Sequence, residues 1–423
     1  MAVTVFPQEF VRVEVSFYNQ NEREKLLRYP TAADLEKITA QAIDIPIAEF
    51  LTYYLFYRKR MGLPDYQTFQ SIGRRVDQAL GSLEGVINFG GRSIHTRDGA
   101  IYQPPEISEH VGEAVGLSVM SRIHDVTEAD WAPIPTQSGP GAARSFDFQM
   151  ASDGRRFIQV ENKGSSVSDN RKRGDSVSKQ HSRIIDKKKD LNALAQTGTD
   201  PNPASLRYGT ITVLDSRIDG NVRCLLSDPP PEPRDEPPDR FRLIQRMRFI
   251  RDWVSTISPR SQLAAALATR VAALETLRDP SELSGVPLRK GNGDPFEIVP
   301  KFFDGPHSTF LATKSRVIDG PAGGEIVQLS NDQLFLLGIR EELVALAALQ
   351  EREQLLAYRA PTGTIDKTVE CIVSEARFRS LRLPTAIRDQ AIVSGRYRHF
   401  LLDGQLHYSS FGLVFGVLPL PSR

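Results

Sequence analysis

The stretch ARSFDFQMASDGRRFIQVENKGSS, residues 143–166, holds two strand-like runs around Asp153-Gly154, a dipeptide that favours the tight turn of a β-hairpin. With a three-residue loop of Asp153, Gly154 and Arg155, opposed residues carry numbers summing to 308, which sets Asp147 across from Glu161. A two-residue loop shifts the partner by one. Opposed side chains on one face have Cβ atoms about 4.5–5.5 Å apart. Two carboxylates at that range repel unless one is protonated or a cation lies between them, and a divalent metal is the natural remedy. Side chains alternate along a strand, so Glu161 and Lys163 share a face while Asn162 points to the other and leaves its carbonyl near the same edge. The expected site is therefore the carboxylates of Asp147 and Glu161, the backbone oxygen of Asn162 and the ammonium of Lys163. Such oxygen donors suit Mg²⁺ or Mn²⁺, which bind one or two carboxylates plus substrate phosphate. The lysine would stand where a phosphoryl transition state gathers negative charge, or help orient the attacking water. Phosphodiester hydrolysis fits this set of parts.

Outward from the hairpin, periodicity predicts a helix over 106–123, strands near 129–135, 143–151 and 156–163, a basic helix near 176–196, and strands near 207–214 and 221–227. Asp98-Gly99 and Asp219-Gly220 add further turn signals. The order is αβββαβ with one further strand. Here the chain resembles the PD-(D/E)xK nuclease superfamily: Asp147, Glu161, Asn162 and Lys163 match its motif in order and element, with Phe146 where the motif's name has proline. The resemblance covers residues 106 to about 227 and assigns no subfamily. It implies a restriction-endonuclease-like core inside a mixed α/β (α+β) fold, an Mg²⁺- or Mn²⁺-dependent endonuclease, DNA as substrate, and a defence or repair setting. It also implies an acid on the preceding helix. Glu109 and Glu113, four apart, share a face, and Glu113 is taken as nearer the middle. On the following helix it points to Lys179 or Gln180 near the metal. Residues 171–189 hold eight Lys/Arg against two Asp, and Arg171, Lys172, Arg173, Lys179 and Arg183 are candidates for neutralising phosphates. A solvated helix face behind a mobile Gly-Ser-Asp-Asn loop is the plainer account of that run.

The remaining composition narrows the classes. At 423 residues the chain has room for about three domains, and 53 basic against 52 acidic residues leave a formal charge of +1, so a polyanion must be met by local clustering. Cys224 and Cys371 have neither disulfide-framework nor zinc spacing, and no apolar run of about 18 residues or secretory leader is evident, so no membrane contact and a cytoplasmic location are expected. The seven histidines show no HxxxH or HExxH, and there is no GxSxG elbow or GxxxxGK[ST] loop.

The expected organisation is a helix-rich region over 1–85, the nuclease core over 86–228, a Pro-rich linker over 229–238, a helical connector over 239–284 and an α+β domain over 285–423. The first region opens on a half-buried strand through Val11, Val13 and Val15. The last holds a long helical pattern near 331–358 and a hairpin turning at Asp403-Gly404, and could supply target recognition or homodimer contacts. Thr31 with Asp34 resembles a capping box. Tyr53, Tyr54, Phe56 and Tyr57 before Arg58, Lys59 and Arg60 read either as a nucleic-acid patch or as a buried aromatic stripe, the second being the commoner arrangement. Alternatives to the enzyme are a non-catalytic nucleic-acid-binding protein, or a structural or sensing component of a defence system, that keeps the nuclease fold.

Overall fold

The computed structural model describes residues 6–28, 31–57, 69–90, 93–97, 105–134, 146–152, 156–172, 174–200, 202, 204, 206–217, 220–227, 238–296, 309–312, 322–330 and 332–420. The expected turn over 153–155, Arg173, Arg58, Lys59, Arg60, Asp98-Gly99, Asp219 and the linker residues 229–237 lie outside them. The fold is mixed α/β, and the chain divides into two compact units: one of residues 6–62 and 81–242, the other chiefly of 63–80 and 243–423.

In chain order the first unit holds β1 (Phe10–Phe17), α1 (Gln20–Leu26), α2 (Ala32–Ala40), β2 (Ile43–Pro46) and α3 (Ile47–Phe56). After α4 (Phe69–Val86), which starts among the residues of the other unit, come β3 (Ile87–Gly90), β4 (Ser93–Thr96), α5 (Pro105–Ile123), β5 (Ala132–Pro133), β6 (Phe148–Ser152), β7 (Arg156–Ser166), α6 (Asp175–Gln196), β8 (Leu206–Leu214) and β9 (Val222–Ser227). Seven strands form one sheet in the order β2-β1-β9-β8-β7-β6-β5, and β3 with β4 makes a separate ribbon. The pairs β7–β8 and β1–β9 are parallel.

The expected separate region over 1–85 is corrected by this sheet. Val11, Val13 and Val15 are buried as the alternation requires, but the strand they form lies inside the sheet, Val13 pairing with Val222 of β9. In α3 every residue except Glu49 is buried, Tyr53 shares a hydrogen bond with Ser121 (2.7 Å), and the Tyr57 hydroxyl donates to the Glu128 carbonyl (2.5 Å). Tyr53, Tyr54 and Phe56 are core, and Tyr57 is half-buried. Thr31 precedes α2, yet its hydroxyl meets the Tyr208 hydroxyl (3.2 Å) and makes no cap bond.

The second unit continues with α7 (Pro238–Ile257), α8 (Gln262–Thr276), β10 (Thr309–Ala312), β11 (Ala322–Ser330), β12 (Gln333–Arg340), α9 (Glu341–Leu349), α10 (Arg352–Ala357), β13 (Gly363–Ser374), α11 (Glu375–Ser380), α12 (Thr385–Gln390), β14 (Ile392–Ser394), β15 (Tyr397–Tyr408) and β16 (Leu413–Pro419). Its sheet runs β13-β10-β11-β12-β16-β15-β14, and β13 also pairs with β15 from Gly363↔Tyr408 to Ser374↔Tyr397. Six antiparallel strands thus close into a barrel, with β14 on an edge. Ile326, Leu334, Leu336, Val369, Leu402, Leu406, Val414 and Leu418 fill its core. Connector and C-terminal region belong to this one unit, which corrects the expected boundary at 285, and residues 63–80 join it.

Two expectations fail here. The helical pattern near 331–358 is the strand β12 followed by α9 and α10; QLFLLGIR is buried along its whole length, so it carries no period to separate strand from helix. Strand β15 also runs straight through Asp403-Gly404. Gly404 is there for close approach, since a Cβ would lie 2.6 Å from Leu418 Cδ2, and the chain reverses instead near Gly395 (φ +58°) and Gly412 (φ +88°). Cys224 on β9 and Cys371 on β13 are free and buried. No helix among the described residues is long and apolar enough to cross a membrane.

Candidate active site

The ladder between β6 and β7 runs from Ser152↔Arg156 to Phe148↔Val160, the register of a three-residue loop. Asp147 sits one residue beyond its end. Its N–H donates to the Val160 carbonyl (3.1 Å), and its carboxylate accepts the Asn162 N–H (3.0 Å). These bonds hold the Asp147 side chain against β7 beside Glu161. N–H and C=O of one strand residue face the same edge, so the Asn162 carbonyl is directed toward the side where Asp147 lies. The Asn162 side chain goes to the opposite face, as expected, and accepts from the Thr210 hydroxyl (2.7 Å) under α5.

Parallel pairing puts Glu161 beside Gly209 and Lys163 beside Ile211 on the face that α6 covers. The buried residues of α6 are Val177, Ile184 and Leu191, and Ile184 packs with Ile211 and Val213. A Cβ at Gly209 would come within 2.8 Å of Ile184 Cγ2, so the missing side chain lets the helix settle close. This docking brings Lys187 to the acids. Its Nζ lies 2.5 Å from Glu161 Oε1 and 4.0 Å from Asp147 Oδ1, while Lys163 Nζ lies 2.5 Å from the same Glu161 oxygen and 3.9 Å from Asp147 Oδ2. Asp147 and Glu161 are 2% and 0% exposed, and the side chains of Lys163 and Lys187 are 15% and 20% exposed, so the cluster meets solvent through its lysines. Burial is the largest influence on Lys163 and pushes its pKa down. Asp147 and Glu161, the hydrogen bond to Glu161 and the more distant Glu109 together outweigh it and hold the lysine above its ordinary value.

On the opposite face α5 packs close to β7 through small residues. A Cβ at Gly112 would lie 2.6 Å from Gly164 N, one at Gly116 would collide with Asn162 Oδ1, and one at Gly164 would collide with the Ser108 carbonyl. Of the two candidate glutamates on α5, Glu109 acts on Lys163 through its charge, and Glu113, preferred from the sequence, is buried.

The basic segment is only partly gathered. Gln180 Nε2 donates to the Gly164 carbonyl (3.4 Å), next to Lys163, and Arg183 reaches Gln180 Oε1 (3.4 Å). Lys179 and Lys172 are exposed, and Arg171 pairs with Asp169, whose carboxyl its hydrogen bonds depress to about 2. The expected mobile loop is tied down: the Asn170 N–H donates to Asp215 (3.0 Å) at the end of β8. Sequence reasoning misses Lys187 because the family pattern points to the first turns of this helix. The signal is nevertheless present, since Lys187 sits three residues after Ile184 and four before Leu191, inside the stripe that faces the sheet.

Among the described residues no group of three or more His, Cys, Asp or Glu could hold a metal. The smaller donor set of Asp147, Glu161 and the Asn162 carbonyl still fits a hydrated Mg²⁺ or Mn²⁺, which is content with one or two carboxylates. The repulsion between the acids is met here by two ammonium groups, and a metal would take over part of that role. Compared with known proteins, the chain matches no family model, no curated protein and no solved structure.

Proposed function

We propose that this chain is a metal-dependent nuclease that hydrolyses phosphodiester bonds, with DNA favoured as substrate by the resemblance to the PD-(D/E)xK superfamily. The observation that carries the reading is the convergence of Asp147, Glu161 and Lys163 in one buried cluster that reaches solvent through its lysines. The order α5-β5-β6-β7-α6-β8 supports a restriction-endonuclease-like core. Asp147, Glu161 and the Asn162 carbonyl would hold Mg²⁺ or Mn²⁺. When bound, the metal supplies Lewis-acid stabilisation to the phosphate and the leaving oxygen. Lys163 is kept charged by its acidic neighbours and has no acceptor, so it donates to a phosphate oxygen rather than removing a proton from water. Lys187 offers a second cation on the same side. A cytoplasmic setting and a homodimer belong to the same reading.

The test is cleavage of plasmid and single-stranded DNA across a metal series. Mg²⁺- or Mn²⁺-dependent cleavage that disappears in Lys163→Ala and Glu161→Ala, while salt-sensitive binding survives, is the expected result. One observation favours a second reading: Glu161 Oε1 already receives two ammonium groups at 2.5 Å, an arrangement that offsets the acid's charge without a metal. A non-catalytic nucleic-acid-binding protein would bind the same DNA and cleave none of it with any metal.

A further inference from the structure

The barrel unit carries a charged face that the proposed chemistry leaves without a task. From Glu375 to His399 the chain places six arginines, Arg377, Arg379, Arg382, Arg388, Arg396 and Arg398, against Glu375 and Asp389, with no lysine, a surplus of four positive charges in a protein whose net charge is +1. Folding sets two of them, Arg388 and Arg398, over Phe378. The guanidinium of Arg388 lies 5.8 Å from that ring's centroid and that of Arg398 lies 5.7 Å away. The Glu375 carboxylate accepts from Arg379 (2.8 Å) and from Arg398, and its N–H donates to the Arg396 carbonyl (3.0 Å), which joins α11 to the turn before β15. Arg377 pairs with the buried Glu325 (2.6 Å), and Arg379, Arg382, Arg388 and Arg396 are exposed.

The kind of polyanion follows from the residue type and from the aromatics. Guanidinium is the side chain best matched to phosphate, planar and able to make two parallel bonds. Single-stranded binding also uses open aromatic faces on which bases stack. Here Phe378 is buried beneath Arg388 and Arg398, and Arg396 lies 5.3 Å over the Tyr397 ring, so arginines cover the rings of this face. Beside the exposed Ile392 and Val393 of the β14 edge, what it presents is cations suited to a backbone. We propose that the arginine face around Phe378 is a phosphate-contacting surface that seats a DNA duplex. The proposal rests on the reading that the chain acts on nucleic acid, and it assigns the grip on the duplex to the barrel unit.

The test is fluorescence anisotropy of a short labelled DNA duplex with the full chain in EDTA over a salt series. The variant R379Q/R382Q/R396Q removes exposed charge and spares Arg388, which donates to the Leu381 (2.6 Å) and Leu383 (3.1 Å) carbonyls. Thermal unfolding checks that it folds. With three phosphates no longer neutralised, the slope of log Kobs against log salt becomes shallower by about 2.7 and affinity falls by about tenfold or more. R379K/R382K/R396K keeps most of the slope, which a purely structural role would not predict. Unchanged affinity and slope in the glutamine variant, with wild type binding well, overturn the surface and leave the nucleic-acid reading standing. Tighter binding to a single strand, or to phosphatidylserine vesicles, than to the duplex also overturns it. If wild type binds no DNA the surface is wrong, and if the same protein cleaves none with Mn²⁺ the underlying reading falls with it.

Discussion

Glu161 shares one carboxylate oxygen between Lys163 and Lys187, and this makes the two lysines partly interchangeable for stability while leaving them distinct for chemistry. Removing one ammonium leaves the buried acid the other; removing both takes two cations away from two buried carboxylates. Stranding buried charges in this way costs about 3 kcal/mol or more. We expect K163M and K187M to be mild singly and K163M/K187M to lose more than their sum in urea unfolding at pH 8. The excess should shrink at pH 5. Without cations the folded-state pKa of these acids rises above the unfolded value, so the protonated form folds best and stability is lost as pH rises. Additive effects at both pH values would contradict the shared oxygen.

Among elements, the contact between α5 and β7 is the tightest test of the site's frame. Gly116→Ala drives a methyl into Asn162 Oδ1 and Thr210 Oγ1, and we expect a loss of about 2 kcal/mol together with weaker cleavage, because Asn162 also holds Asp147 through its N–H. Gly81→Ala in α4 is the control: nothing lies within 4 Å, so the substitution should raise stability by about 0.5–1 kcal/mol. Thermal melts of both variants check the pair. Much of this frame is legible in the sequence. The helix expected over 106–123 is Pro105–Ile123, the helix near 176–196 is Asp175–Gln196, and the three-residue-loop register is the one observed. Local periodicity and turn chemistry decide such features. Sheet membership is not local: β1 pairs with a strand some two hundred residues later, and β13 closes on β15 through pairings that no window contains. For the same reason Lys187 becomes visible at the site, and Glu109 is distinguished from Glu113, only when helices and strand are assembled.

For the whole molecule, the two units should answer acid differently. Burial lowers His124 in the first unit and His407 in the barrel to about 3, His124 with help from Arg156, so each is protonated in the unfolded chain first. Their stabilisation is complete above about 6.5 and is lost as pH falls toward 3, by about 1.4 kcal/mol per pH unit each. Burial raises Glu325 of the barrel to about 7 against the pull of Arg377, and its contribution has the opposite sign, present below about 4.5 and lost as pH rises through 7. In the barrel the two slopes cancel over much of that range. We expect the first unit to lose about 2 kcal/mol between pH 7 and 5 while the barrel changes little. Trp131 and Trp253 lie one in each unit, so W253F and W131F variants read the two by fluorescence, and equal losses would refute the assignment. The same division holds for sulfur. Burial pushes the Cys224 thiol to about 12 and raises Cys371 as well, and alkylation needs thiolate. Each half of the molecule therefore carries its own stopwatch: iodoacetamide finds nothing in the closed protein, and the order in which two adducts accumulate on the mass spectrum tells which half breathes first.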